Sequence, residues 1–252
     1  QARLTSKRYP RKIFEKINDQ SMIFFLYKRL IKVISEKNIV FVIPKNKKNE
    51  ELYQFFKKKN ILCFRGSENN VLKRFYEAAL YFKANNIIRV TSDCPLTDPN
   101  LIKTMYKKFI KFKKVDYYSN THRQGFPDGF DVEMFNIKGL ALSLKLTKNK
   151  YHLEHVTTFL RKSKKLNKKS FKLKDNFIYP KLSVDTKKDL NRIKFIIKNL
   201  DKDNFSYKDI LNKLKFLKKQ FLSNKNILKN KTKKSQILWN MAKKKIAGGN
   251  ML

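Results

Sequence analysis

Between residues 39 and 113, short all-apolar runs alternate with helix-length amphipathic segments, and few folds accommodate that order. Ile39 to Ile43, Ile61 to Phe64 and Ile87 to Thr91 have the length and side chains of buried strands. Met22 to Ser35, Glu50 to Lys59, Val71 to Lys83 and Leu101 to Lys113 carry a helical period around and between them. Strands of this kind joined by helices of this length specify a parallel sheet with right-handed crossovers. The expected class is α/β, a doubly wound, mostly parallel, Rossmann-like sheet. At 252 residues the chain can bury one substantial core and carry a short appendage.

Charge is the next constraint. A formal net charge of +40 would ordinarily point to nucleic acid or an anionic membrane. The excess comes from 50 Lys against 10 Arg, with the Lys interleaved among Asn, Ile and Phe along nearly the whole chain. Because Arg is the residue of bidentate phosphate and guanine contacts, an even spread of Lys reads as compositional bias, and nucleic acid is not an expected partner. A basic nucleic-acid-binding protein remains the competing class, on charge alone. Cys63 and Cys94 lie in apolar surroundings without metal-ligand spacing, and no apolar run approaches a membrane span. The expected location is the cytoplasm.

The stretch Arg89-Val-Thr-Ser-Asp93-Cys-Pro-Leu-Thr-Asp98-Pro99 follows the Ile87 strand and precedes a helix. That places Asp93 at the carboxyl end of a parallel strand, where open α/β sheets bind ligands and a carboxylate can hold a divalent cation against a phosphate. A turn-stabilising role is the plainer alternative for Asp93. Asp98 before Pro99 is an expected N-cap. Asp185, after Leu182-Ser183-Val184, ends a second short strand; it either caps the helix opening at Thr186 or faces the crevice beside Asp93.

Other candidates are weaker singly. Arg3, Arg8 and Lys12 surround Thr5 and Ser6 in a segment without strand or helix period, which suits either a polyphosphate-wrapping loop or a disordered basic arm. Ser67 and Asn70 have capping chemistry, and Arg74 one turn later either reaches the crevice or is solvated. Asp128, Asp131 and Glu133 stand out in a chain poor in acid. Period-two alternation puts Asp131 and Glu133 on one strand face, to bind sugar hydroxyls, orient a cation or meet solvent. Tyr151 to Val156 starts another helix; His152 and His155 are adjacent on it without further ligands, so no zinc site is expected.

Taken in order, these motifs resemble the CMP-sugar synthetase (acylneuraminate and 3-deoxy-octulosonate cytidylyltransferase) family, most closely its spore-coat polysaccharide branch. The matching pieces are Gln1-Ala2-Arg3 through Ser6, Arg8, Pro10 and Lys12; Gly66-Ser67 with Val71-Leu72 and Arg74; Arg89 to Pro99; Pro127 to Glu133; Glu154-His155-Val156-Thr157; and Val184-Asp185-Thr186 with Asp189-Leu190. The resemblance covers residues 1–217 and implies a nucleotidyltransferase that joins CTP to an acidic sugar. It implies Arg3, Ser6, Arg8, Lys12, Ser67, Arg74 and Arg89 for the nucleotide, with Arg3, Arg8, Lys12 and Asp93 catalytic. Asp93 and Asp185 would hold Mg²⁺, and Arg123, Asp128, Asp131, Glu133, Glu154 and His155 would face the sugar. A homodimer is a further expectation. Thr5 and Arg11 stand where many members have Gly, Lys187-Lys188 replaces a common Pro-Glu, and the family's opening strand has no counterpart here, which implies truncation at the amino end.

Residues 235–252, Ser235-Gln-Ile-Leu-Trp239 through Gly248-Gly249-Asn250, resemble the opening helix and Gly-Gly turn of class III, glutamate-1-semialdehyde-type aminotransferases. Residues 218–234, rich in Asn and Lys, would then link the first domain to a covalently attached aminotransferase domain; an amphipathic C-terminal helix of the first domain is the alternative for 235–252, and an inactive fragment of such a bifunctional protein the alternative to an active enzyme.

Overall fold

A computed structural model describes residues 1–6, 8–121, 125–175, 177–200 and 204–228, with 219–228 as backbone alone. Arg123 and the 235–252 segment lie outside the described residues. After the opening loop, β1 (Lys16–Ile17) and β2 (Gln20–Ser21) form a hairpin. Its two turn residues, Asn18 and Asp19, take φ of 45° and 61°, the left-handed pair that a type I′ turn requires. The alternation follows as expected: α1 (Met22–Leu30), β3 (Phe41–Pro44), α2 (Glu50–Lys58), β4 (Cys63–Gly66), α3 (Val71–Tyr81), β5 (Asn86–Arg89) and α4 (Pro99–Phe109). Helix starts coincide with caps written in the sequence. Asn70 accepts from Lys73 N to open α3, and Asp98 accepts from Asn100 N with Pro99 in the first turn of α4.

The second half comprises β6 (Tyr117–Ser119), β7 (Glu133–Asn136), α5 (Ile137–Leu146), α6 (Lys150–Glu154), α7 (Thr158–Lys162), β8 (Lys168–Ser170), α8 (Lys187–Lys198) and α9 (Tyr207–Leu228). β3 and β4 pair in parallel, while the other sheet runs β5-β7-β6-β8. β7 is antiparallel to both neighbours, so it alone is reversed in that sheet. Among the described residues no helix separates β6 from β7, and the two pair antiparallel. Helices cover both sides. Leu72, Phe75, Leu140 and Leu160 pack with Val42 and Phe135, and Leu26, Leu30, Leu101 and Met105 pack with Val132 and Met134. β8 is fully exposed, and its lysines guard that edge against further pairing.

Gln1 and Ala2 bridge the two sheets. Gln1 bonds Val90 O and Ser92 N at 3.0 Å each, and Ala2 N donates to Val42 O at 3.4 Å. Beside this bridge an apolar cavity of about 670 Å³ opens between β3 and β5, lined by Val40, Val42, Ile88, Val90, Leu30 and Tyr106 among others.

Four expectations change. The helix expected from Tyr151 breaks at Val156, which has φ 50° in a turn between α6 and α7. Residues 182–185, expected to end a short strand, bend at Ser183 and Asp185 and pair in no ladder; they are held by single bonds, Leu182 N to Asp128 O at 2.6 Å and Val184 N to Asp93 O at 2.8 Å. The face of β7 expected to meet either solvent or ligand is buried, with Glu133 4% exposed and Phe135 0%. Finally, the expected linker at 218 begins inside α9, which continues to Leu228.

Gly129 is where the fold is least tolerant. It has φ 115°, and a Cβ there would stand 2.4 Å from Leu182 C and 2.6 Å from Ser183 N. Backbone would meet backbone, and neither can swing aside. Gly129→Ala is expected to destabilise the fold by about 3 kcal/mol or more, combining backbone strain and displacement of the 182–185 segment. Urea unfolding of the variant against wild type checks it.

Candidate active site

Three distant pieces of chain meet at the ammonium of Lys12. Its Nζ donates to Asp93 Oδ2 at 3.3 Å, Asp185 Oδ1 at 3.2 Å and the Val184 carbonyl at 2.6 Å. Lys12 is 8% exposed and opens a short 3₁₀ turn, whose preceding residue, Arg11, has φ 59°. That left-handed backbone explains why glycine suits position 11; here an exposed bidentate pair with Glu51, 2.6 Å on both arms, accompanies the strained arginine. The two readings of Asp185 separate cleanly. The cap of α8 is Thr186, in a reciprocal capping box with Asp189, which leaves the Asp185 carboxylate free to face Lys12. Its other oxygen accepts from Lys181 at 2.5 Å and Arg8 at 2.8 Å. Burial alone would raise the Asp185 carboxyl; Lys181 and Lys12 outweigh it and hold the group below its ordinary range.

The opening segment is a folded loop. Leu4 N donates to Asn49 Oδ1 at 2.8 Å, and Arg11 N closes back on Leu4 O at 3.0 Å. Ser6 is partly buried within it, and Arg8 stays mostly exposed. Arg3 makes a half-exposed ion pair with Glu154 at 3.8 Å, which joins the loop to the end of α6. His155 is exposed with its ring 4.5 Å from that of Tyr151.

Arg74 departs from the solvated alternative, being 1% exposed. It packs over Gly66, where a Cβ would fall 2.7 Å from Arg74 Cγ, and its Nη1 donates to Ser67 O at 2.8 Å. Its Nε is buried without a partner, and burial with the nearby Arg3 charge lowers its pKa to about 10. Ser67 Oγ accepts from Asn70 N at 3.1 Å, so its side chain serves the helix entry.

The acidic group divides. Glu133 and Arg89 form a buried ion pair inside the sheet, with Glu133 Oε1 also accepting from Tyr117 OH at 2.6 Å and Arg89 bonding Gln1 Oε1 at 3.0 and 3.2 Å. Burial alone would raise Glu133; Arg89 and Tyr117 outweigh it and hold the carboxylate below its usual range. The structure thus places the two residues, expected at the nucleotide and the sugar, against each other inside the sheet, with their polar atoms matched. Asp128 is exposed and Asp131 partly buried, in the loop that precedes the reversed strand. Lys181 and the Val184 carbonyl join the site unforeseen. Lys181 lies four residues before Asp185, a spacing lost among the chain's many lysines.

Helices on both faces of the sheet, carboxylates at the Asp93 loop and a basic loop beside them define an α/β nucleotidyltransferase. A family model described as cytidylyltransferase matches residues 1–236, and the chain belongs to that family. It is a CTP-dependent nucleotidyltransferase. An uncharacterized protein of Methanocaldococcus jannaschii is 30% identical over 214 residues, covering 84% of this chain and 86% of that one. The spore coat polysaccharide biosynthesis protein SpsF of Bacillus subtilis is 29% identical over 203 residues, 77% of this chain and 82% of that one. Among solved structures, a cytidylyltransferase from Leptospira borgpetersenii shares the fold with a TM-score of 0.80 at 24% identity, covering 92% and 95% of the two chains. A CMP:2-keto-3-deoxy-manno-octonic acid synthetase solved with CTP shares it at 0.60 and 14% identity, covering 78% and 95%.

Asp131 gives the site a pH signature. Burial pushes its carboxyl up to about 7, with Asp128, Glu133 and Asp93 adding to the rise and Arg89 opposing it. A carboxyl whose folded pKa exceeds its unfolded value of about 3.9 favours the fold less as pH climbs between the two values. Asp131→Asn removes that loss. Relative to wild type it is expected to gain about 3 kcal/mol between pH 5 and pH 8, read by urea unfolding at both pH values.

Proposed function

We propose that the enzyme activates an acidic sugar with CTP, releasing pyrophosphate and a CMP-sugar for cell-surface polysaccharide or glycan biosynthesis. The observation that carries the reading is the convergence of Arg8, Lys12, Asp93 and Asp185 at one point beside the folded basic loop. The sugar hydroxyl attacks the α-phosphorus in line, the bond to the bridging oxygen breaks, and pyrophosphate leaves with the electron pair. Arg3, Arg8 and Lys12 supply charge-assisted donors where negative charge accumulates on the departing phosphates. The buried Arg74, with an unpartnered Nε beside the loop, is suited to hold the nucleotide end of CTP. Asp128 and Asp131 offer acceptors to sugar hydroxyls. The name of the Bacillus subtilis relative, a polysaccharide biosynthesis protein, favours a sugar substrate. The aminotransferase resemblance of residues 235–252 plays no part in this reading.

Mg²⁺ fits the donor set. Asp93 and Asp185 are hard oxygen ligands aimed at one point, and Mg²⁺ is commonly held by one or two carboxylates plus substrate phosphates. The described residues accordingly include no cluster of three or more His, Cys, Asp or Glu able to hold a metal by itself. Bound there, the ion would neutralise phosphate charge.

Pyrophosphate release from CTP and Mg²⁺ across a panel of nonulosonic and octulosonic acids tests the activity; a folded enzyme that releases none with any of them removes the acidic-sugar assignment. For the metal, Asp93→Asn and Asp185→Asn are each expected to lower turnover about 100-fold or more with the fold intact. Asp98→Asn separates structure from chemistry. Asp98 Oδ1 accepts from Asn100 N at 2.8 Å and Oδ2 from Tyr207 N at 2.7 Å, so the substitution keeps the cap and loses one acceptor. It is expected to cost about 1–2 kcal/mol of stability while kcat and its Mg²⁺ dependence stay near wild type. An Asp185→Asn enzyme with a wild-type Mg²⁺ curve would sink the two-aspartate metal site.

A further inference from the structure

We propose that Lys12 is a built-in occupant of the cation site, filling it in the nucleotide-free enzyme and giving way only when metal and nucleotide arrive together. The inference rests on the Mg²⁺ reading above and adds a third ligand to it, the Val184 carbonyl. Asp93 Oδ2, Asp185 Oδ1 and Val184 O converge on a single Nζ at 3.3, 3.2 and 2.6 Å. Three oxygens around one cation form a hard donor set of the kind divalent ions select. An ammonium has three N–H donors and no more, so all of them are engaged in this cradle. Lys12 therefore cannot serve the phosphates from where it sits.

The cradle holds one cation at a time. A divalent ion among these oxygens would stand within about 3 Å of the ammonium, in a setting that screens charge far less than water does. Lys12 must leave for the ion to enter. Its departure exposes a side chain that was 9% accessible and removes three hydrogen bonds, a loss that only a new anionic partner offsets. The triphosphate is that partner. The backbone is not free to follow, because Lys12 N is tied to Tyr9 O at 3.3 Å and Arg11 N to Leu4 O at 3.0 Å. The exchange is thus a swing of the four-carbon side chain alone, and metal and nucleotide bind with positive coupling. Without nucleotide, the same ammonium stands between Asp93 Oδ2 and Asp185 Oδ1, the Asp185 oxygen that Lys181 and Arg8 leave open.

Titrating MgCl₂ alone into the nucleotide-free protein, by calorimetry and by thermal melting, separates this device from a simple ligand pair. Wild type is expected to bind Mg²⁺ poorly and to keep its melting temperature. Lys12→Met is expected to melt lower without metal, to bind Mg²⁺ at least tenfold more tightly than wild type, and to recover stability with it. Lys12→Gln, which leaves an amide donor between the carboxylates, is the second variant in case the methionine does not fold. Adding Asp185→Asn to either variant is expected to abolish the gain. Equal Mg²⁺ affinity in wild type and both variants would overturn the exchange while leaving the metal site standing, as would a gain that survives Asp185→Asn. Failure of the metal site itself appears separately, in the Mg²⁺ dependence of Asp185→Asn turnover.

Discussion

The bond from Val184 N to Asp93 O, 2.8 Å long, is the constraint on which the site depends. Residues 182–185 belong to no ladder, yet this bond and the one from Leu182 N to Asp128 O stitch them across the ends of two central segments. The chain can lie so close only because residue 129 has no side chain to hold it off. With the segment in place, Asp185 comes beside Asp93, and Lys12 finds acceptors on both. The candidate constellation is here positioned by backbone bonds, which have less freedom to drift than side-chain contacts.

Much of this was legible from local rules. Asp98 as N-cap followed from Pro99, and Asp93 at a strand end followed from the apolar run before it. The site beyond those points was not, because its geometry comes from tertiary contacts that leave little local trace. Alternation at Phe130 to Phe135 suggests a strand with one polar face, but α5 and α7 close over that face and Glu133 survives there by pairing with Arg89. Nothing in a helical period says that Arg74 turns inward; the only trace is Gly66, whose bare backbone makes the space. The break at Val156 is equally silent, since a β-branched residue is a poor choice for φ 50° and no turn residue announces it. Reversal of β7 follows from the lack of a crossover helix, which the βα pattern of the first half does not foretell.

The overall charge also reads differently with the fold in hand. Among the described residues, many of the lysines lie on helices and on the exposed edge strand β8. The cations that matter are few and are distinguished by anionic partners in a chain short of them. Asp185 alone engages Lys12, Arg8 and Lys181. In such a composition it is the carboxylates, more than the cations, that mark sites.

One joint links this region to the far end of the fold. Helix α9 begins with Ser206 and Asp209 in a reciprocal cap, and the next amide, Tyr207 N, is held by Asp98 at 2.7 Å. Asp98 stands five residues after Asp93 in the same loop and also opens α4 through Asn100 N. Its two oxygens thus work as a rivet between a 22-residue helix and the loop that carries the site. The entry of α9 and the Asp93 loop therefore share one carboxylate, so a displacement of Tyr207 at the base of that helix breaks a bond made by the loop itself.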